Sequence, residues 1–208
     1  MTTEDAPAGQ LAAARPFSAA NAALVLIDHQ VGTMKLIKNL DLGRVRRNTL
    51  ALAKTAKALG LPVVLTTSQE ERVQGPLMPE LAELLPEANE RRVRRAGLVN
   101  AWDDANFVRA VELTGRRSLV MAGVTTDVCL VFPSISAVGA GYRVQAVMDA
   151  SGSPYELSED MSRRRMERAG VVLTATVTVM AELAHDWSAR DGSELQRVLF
   201  TDVLPPIA

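Results

Sequence analysis

Cys129, the only cysteine of the chain, closes the stretch Gly123-Val124-Thr125-Thr126-Asp127-Val128-Cys129. The apolar run Ser118-Leu119-Val120-Met121-Ala122 leads into it, and an apolar, helix-like segment follows. That order predicts a thiol at a strand-to-helix turn. The positive end of a helix dipole favours a thiolate there, and unpaired N–H groups can hold an anion. A lone cysteine is ordinarily a small buried hydrophobe, so the surrounding turn is what points to reactivity. Asp28 ends a second apolar run, Ala23-Leu24-Val25-Leu26-Ile27, and Thr66, Thr67 and Ser68 end a third. A carboxylate beside a thiol can take its proton as general base. Aspartate at a strand end also serves as a turn former or cap. Histidine is the other common partner of a catalytic cysteine, but only His29 and His185 are present. Adjacent side chains on a strand face opposite ways, so His29 points away from Asp28. His185 falls late in a helical stretch with Met180 and Leu183 and reads as structural. Two histidines without a short-spaced partner do not make a zinc site.

These residues can meet only if the strands lie side by side. Ala23 to Ile27 is continuously apolar, as in a strand covered on both faces. Val45, Thr49, Leu52, Ala56 and Leu59 recur at helical steps, and Gly60 followed by Pro62 ends that helix. Leu61 to Thr66 is the second strand. Residues 68–103 carry Pro76, Pro79 and Pro86 and read as a long excursion with a short helix near Met78 to Leu85. Asp103 or Asp104 caps a helix bearing Phe107, Val108 and Val111, which Gly115 ends. Ser118 to Ala122 is the third strand, and the Cys129 helix runs to about Ala140. Arg143 to Met148 is the fourth strand, Ser158 caps the next helix, and Val171-Val172-Leu173 is a short fifth strand. Alternating strands and helices imply an α/β fold, a three-layer α/β/α sandwich with a mainly parallel sheet. Such sheets place ligands at the carboxyl ends of their strands.

The length suits one domain, expected over residues 19–208 behind a flexible tail of residues 1–18. Hydrophobic residues are 48% of the chain and aromatics only 4%, so the core is mostly Val, Leu and Ala. A net charge of −1 gives no reason to expect nucleic-acid binding, and the run Arg91-Arg92-Val93-Arg94-Arg95 lacks interleaved aromatics. No stretch approaches the roughly 20 apolar residues that span a membrane. The start has no basic segment followed by an apolar run, so no signal peptide and a cytoplasmic location are expected. There is no G-x-G-x-x-G after the first strand and no phosphate-loop motif, so no nucleotide cofactor is expected.

Four ordered motifs carry a resemblance: Leu26-Ile27-Asp28-His29-Gln30, Asn100-Ala101-Trp102-Asp103, Gly123 to Cys129, and Asp149-Ala150-Ser151-Gly152. Together they resemble the isochorismatase-like cysteine hydrolases, and within them the YcaC-like branch, over roughly residues 20 to 190. The resemblance implies a triad of Asp28 as base, Cys129 as nucleophile, and a lysine just before the Asn-Ala-Trp segment. No lysine follows Lys57, and Arg95 is the best match. Arginine supplies the same positive charge but cannot shuttle a proton. The resemblance further implies a non-proline cis peptide at Val124-Thr125 and an oxyanion hole from the N–H groups of Thr125 and Cys129. Gln30, Asn100, Trp102 and Phe132 are candidate substrate-binding residues, with core packing the competing reading for the two aromatics. Nicotinamidases of this superfamily bind a metal after the second strand. The equivalent Thr66-Thr67-Ser68-Gln69-Glu70-Glu71 has no histidine, so no metal is expected.

The implied activity is metal-independent hydrolysis of an amide or related C–N bond of a small molecule through a Cys129 thioester. The alternative is a catalytically silent oligomeric scaffold or a redox sensor, since a helix-terminal thiol is also open to reversible oxidation. The family implies a homo-oligomer, and the apolar segment Leu195 to Ile207 is a candidate to dock on a neighbour.

Overall fold

The computed structural model describes residues 16–206. The expected tail therefore falls, up to residue 15, outside the described residues. Six strands form one parallel sheet: β1 (Ala22–Ile27), β2 (Val63–Ser68), β3 (Val93–Arg95), β4 (Ser118–Gly123), β5 (Arg143–Val147) and β6 (Val172–Thr174). Their order is β3-β2-β1-β4-β5-β6. The chain thus winds outward from β1 in one direction and, from β4 on, in the other. The switch point between β1 and β4 is where such sheets leave a crevice.

Helices cover both faces. On one side lie α1 (Leu42–Leu59), α2 (Pro79–Leu84), α3 (Pro86–Glu90), and, later in the chain, α7 (Thr176–Ala184) and α8 (Arg190–Val198). On the other lie α4 (Ala105–Leu113), α5 (Val131–Gly139) and α6 (Glu156–Arg168). Alternation along the strands serves both layers. Leu24 and Leu26 of β1 pack with Leu52, Ala56 and Met180. Ala23, Val25 and Ile27 pack with Phe107, Leu130 and Met166. Each fully buried Leu, Val or Ile contributes about 1.5–3 kcal/mol. The site residues therefore leave strand ends that are anchored on both faces. No helix of the described residues is long and apolar enough to cross a membrane.

Gly60 closes α1 as the sequence predicts, in the left-handed region at φ 63°, and Asp41 caps its start by accepting the Arg44 N–H at 2.7 Å. Asp104, not Asp103, caps α4, accepting from the N–H groups of Asn106 and Phe107. Other expectations need correction. The excursion after β2 holds two short helices and a sixth strand, β3, whose Val93 and Arg94 pair with Thr66 and Thr67. Three residues, two of them arginine, give no apolar run to detect. Ser158 does not cap α6. That helix begins at Glu156, and the Ser158 hydroxyl donates to the Tyr155 carbonyl from within the first turn. Of the C-terminal segment, Leu195, Val198 and Leu199 are buried in the chain's own core, whereas Phe200 is exposed. Asp202 then pairs with Lys54 of α1 at 2.7 Å.

Candidate active site

Asp28 is the first residue after β1 and adopts a positive φ of 58°, an unfavourable conformation for a non-glycine residue that tends to mark functional sites. Its N–H donates to the Thr66 carbonyl at 2.9 Å. Asp28 is only 2% exposed and Arg95 only 3%. One guanidinium nitrogen, Nη2, donates to both Asp28 oxygens, at 2.6 and 2.5 Å. Nε donates to Thr66 Oγ1 at 3.0 Å and Nη1 to the Leu98 carbonyl at 2.6 Å. All three nitrogens are thus engaged. Within the basic run 91–95, Arg95 alone is buried, and its neighbours take other partners. Arg92 pairs with Glu70 at 2.8 Å, and Arg94 approaches the same carboxylate at 3.5 Å.

Cys129 lies on a π-helical turn, Thr126–Leu130, that precedes α5. Its thiol is hydrogen-bonded to the Asp28 carboxylate, and the Thr125 N–H points at the sulfur. The Val124–Thr125 peptide is cis, as the resemblance implies. The Thr125 carbonyl gathers the turn, accepting from the N–H groups of Val128, Cys129 and Leu130 at 3.3, 2.8 and 3.2 Å. The Cys129 N–H is therefore already committed, and the Thr125 N–H is the donor directed at the thiol. Gly123 makes room for this turn. A Cβ there would lie 3.2 Å from the Cys129 carbonyl oxygen and from Leu130 N and Cβ.

The fourth motif clamps the same turn. Thr126 N–H donates to the Gly152 carbonyl, and Gly152 N–H donates to Thr126 Oγ1, both at 2.8 Å. Ser151 Oγ accepts the Gly123 N–H at 3.1 Å and donates to the Val147 carbonyl at 2.8 Å. Asp149 caps α7 through the Thr176 N–H and hydroxyl.

The electrostatics differ from a helix-terminal thiolate. Burial pushes the Cys129 thiol well above its ordinary value, and the charge and hydrogen bond of Asp28 push it further. The Arg95 charge and the Thr125 N–H pull the other way without prevailing. Asp28 is also raised, first by burial, while the charge and hydrogen bond of Arg95 and the bond from Cys129 oppose the rise. Burial therefore favours the neutral form of both groups, with the Arg95 charge opposing it.

The four candidate substrate-binding residues all have partners within the fold. Gln30 is fully buried, with Nε2 donating to the Ser68 and Gly75 carbonyls at 2.9 and 2.5 Å and Oε1 accepting the Ser68 N–H at 2.8 Å. It ties the β1 end to the loop after β2 and uses both of its amide protons there. Asn100 caps its own turn through the Trp102 N–H and donates to Asp103 and Ser136. Trp102 packs edge-on against Phe107 and Tyr142, with centroids 5.9 and 5.4 Å away. Phe132 lies under the Arg165 guanidinium at 5.1 Å. His29 faces away from Asp28 as expected, with Nε2 bonded to the Ala150 carbonyl at 2.9 Å.

Sequence reading missed the apolar residues beside the triad. Val31, Leu98 and Val128 are each within three residues of Asp28, Arg95 or Cys129, and all three are exposed. Their proximity to the motif residues was the available signal. A cavity of about 440 Å³, lined by Gln69, Arg72, Arg94 and Arg95, opens at the carboxyl ends of β2 and β3. Another of about 390 Å³, lined by Lys57, Leu61, Leu85 and Arg91, is at the amino end of the sheet, away from the thiol. Among the described residues no three His, Cys, Asp or Glu side chains gather as a metal site would require.

The isochorismatase domain model matches residues 22–177. An Escherichia coli (strain K12) protein named "Probable hydrolase YcaC" is 40% identical over 185 residues, 89% of this chain and 87% of that protein. The crystal structure of YcaC from Pseudomonas aeruginosa, with hexane-2,5-diol and covalent acrylamide, superposes with a TM-score of 0.87 at 38% identity. The match covers 91% of this chain and 93% of that one. The E. coli YcaC crystal structure, described as an octameric hydrolase of unknown specificity, gives a TM-score of 0.86 at 38% identity. There the match covers 90% of this chain and 91% of that one.

Proposed function

The chain belongs to the isochorismatase family of hydrolases, and we propose from that premise that it is a metal-independent cysteine hydrolase of a small-molecule amide or related C–N bond. The observation that carries the reading is the continuous hydrogen-bonded line from Arg95 through Asp28 to the Cys129 thiol at the switch point of the sheet. Asp28 accepts the thiol proton as the sulfur attacks the substrate carbonyl carbon. The S–C bond forms, and the carbonyl π electrons move to oxygen. The Thr125 N–H stabilises that oxyanion, and the Cys129 N–H joins it as a bond shared with the Thr125 carbonyl. Collapse breaks the C–N bond, and Asp28 gives its proton to the leaving amine. Asp28 then takes a proton from water as it attacks the Cys129 thioester, and returns it to the sulfur as the acid leaves.

Arg95 holds Asp28 ionised against its burial and moves no proton itself, which suits a residue that does not deprotonate. Within this scheme arginine fills the place of the family lysine by electrostatics alone. We also propose a homo-oligomer, by likeness to the octameric relative, with the mass from light scattering as its check.

The test is turnover of a panel of small amides by the wild type, Cys129→Ala and Asp28→Asn. Both variants should lose activity by at least about a hundredfold, the scale of removing a nucleophile or a general base. Unchanged turnover in either variant would sink the assignment.

A further inference from the structure

We infer that Thr66 is the positioning residue that sets both halves of the Arg95–Asp28 pair. Its backbone carbonyl accepts the Asp28 N–H at 2.9 Å, at the point where the chain leaves β1 with a positive φ. Its hydroxyl oxygen accepts from Arg95 Nε at 3.0 Å. The same hydroxyl donates its one proton to the Val93 carbonyl at 2.9 Å, so only acceptor capacity is left for the guanidinium. Thr66 is fully buried, and the sheet register fixes it directly between the two partners' strands: Ile27 pairs with Thr66, and Thr66 pairs with Val93. A single residue of β2 therefore carries the main chain of the base and the side chain of its cation.

The hydroxyl matters because of which cation is present. A lysine has no counterpart of Nε–H, a donor fixed partway along the side chain that must be paired when buried. Arg95 has it, and no other acceptor for it is found among the described residues. With Thr66 in place the guanidinium is held at three points: Thr66, the Leu98 carbonyl and Asp28. Without the hydroxyl, Nε–H is left unpaired in the interior, and the fork relieves this by rotating, which withdraws Nη2 from Asp28. Asp28 then loses part of the charge that opposes its desolvation, and the base is less ionised at neutral pH.

This inference rests on the proposed role of Asp28 as base, and the experiment separates the two. Acrylamide is the probe: the sulfur adds to the terminal alkene carbon, the C=C π bond breaks, and a proton is delivered to the carbon next to the carbonyl. Cys129 is the chain's only thiol, so whole-protein mass follows it alone. Rates are measured across pH for the wild type, Thr66→Val, Thr66→Ala, Thr66→Ser and Asp28→Asn, with folding checked by circular dichroism. Thr66→Val should label roughly tenfold to a hundredfold more slowly at neutral pH, the scale of one hydrogen bond to a charged group. Its rate should rise with pH later than that of the wild type, and Thr66→Ser should restore the profile. If Thr66→Val does not fold, the Thr66→Ala and Thr66→Ser pair isolates the hydroxyl in the same way. In an Asp28→Asn background, loss of the hydroxyl should have no further effect. Wild-type labelling by Asp28→Asn overturns Asp28 as base. Slow labelling by Asp28→Asn together with a wild-type profile for Thr66→Val or Thr66→Ala overturns the role of Thr66 alone. A loss of stability with an unshifted pH profile would do the same, since that is what a merely structural threonine would give.

Discussion

Replacing Arg95 is the sharpest perturbation of this site, because one side chain supplies a charge and four hydrogen bonds. Arg95→Met removes all of them at nearly constant bulk. Asp28, 2% exposed, would then be a buried carboxylate without a counter-charge. Breaking a buried pair in this way costs about 3–5 kcal/mol. The protein can avoid part of that cost by keeping Asp28 protonated, so the same free energy appears in the ionisation of the base. At about 1.4 kcal/mol per tenfold, roughly 3 kcal/mol shifts the ratio of ionised to protonated Asp28 about a hundredfold towards the protonated form. The acrylamide labelling rate of Cys129 should fall, with about that factor as its ceiling. Arg95→Lys keeps the charge but has one nitrogen where three are used. It should lose about 1–2 kcal/mol of stability through the unpaired Thr66 and Leu98 oxygens and retain most of the labelling rate.

The pH dependence separates charge from packing. Asp28 is raised in the fold and would be raised further in Arg95→Met, so the folded state binds the proton more tightly than the unfolded chain. Stability relative to wild type is therefore lost as pH rises above the ordinary carboxylate value, and recovered as pH falls. Urea midpoints for the wild type, Arg95→Lys and Arg95→Met at about pH 5 and about pH 8 measure this directly. The Arg95→Met deficit should be clearly larger at the higher pH. An equal deficit at both, or wild-type labelling by Arg95→Met, would refute an electrostatic role for Arg95.

What could be read from the chain, and what could not, follows from how far each signal extends along it. β1 and β4 were legible because burial on both faces leaves a nearly uninterrupted apolar stretch, and β2, β5 and β6 because each carries a shorter apolar run. Asp28 and Cys129 were legible because each directly follows such a stretch, and strand ends share a rim. β3 was not, since its identity is a pairing with β2 rather than a pattern of its own. The state of Arg95 depended on that strand: within a basic run it looks solvated, and only the Ser68–Arg95 register turns it inward. The upward push on the thiol was not legible, because a helix terminus is a local feature, whereas desolvation by two packed layers is not. The same limit applies to Gln30 and Asn100. They belong to motifs that identify the site, yet their partners, at Ser68, Gly75 and Ser136, are set by the fold.

Gln30→Leu should destabilise the protein by about 2–3 kcal/mol through the bonds lost at Ser68 and Gly75, while folded protein labels with acrylamide at an unchanged rate. A slowed rate with intact stability would instead restore Gln30 to the substrate site. His29 gives the remaining prediction, on acid stability. Its ring is fully buried, Nδ1 has no partner, and Nε2 bonds the Ala150 carbonyl. Burial lowers it from the ordinary 6.5 to about 4, opposed by that one hydrogen bond. The unfolded chain therefore binds a proton below pH 6.5 that the folded chain refuses down to about pH 4. The stabilisation from a neutral His29 is complete above the unfolded value and disappears as pH falls through this window. Over the whole window the loss is roughly 3 kcal/mol, and about 2 kcal/mol of it falls between neutrality and pH 4.5. Histidine→glutamine at this position keeps a donor for the Ala150 carbonyl and cannot charge. Urea midpoints at pH 7 and 4.5 should therefore show His29→Gln losing about 2 kcal/mol less than the wild type on acidification. Equal losses in the two proteins would mean that the imidazole reaches solvent before the chain unfolds. The packing of the β1 end against residues 148–150 would then be looser than the fold requires.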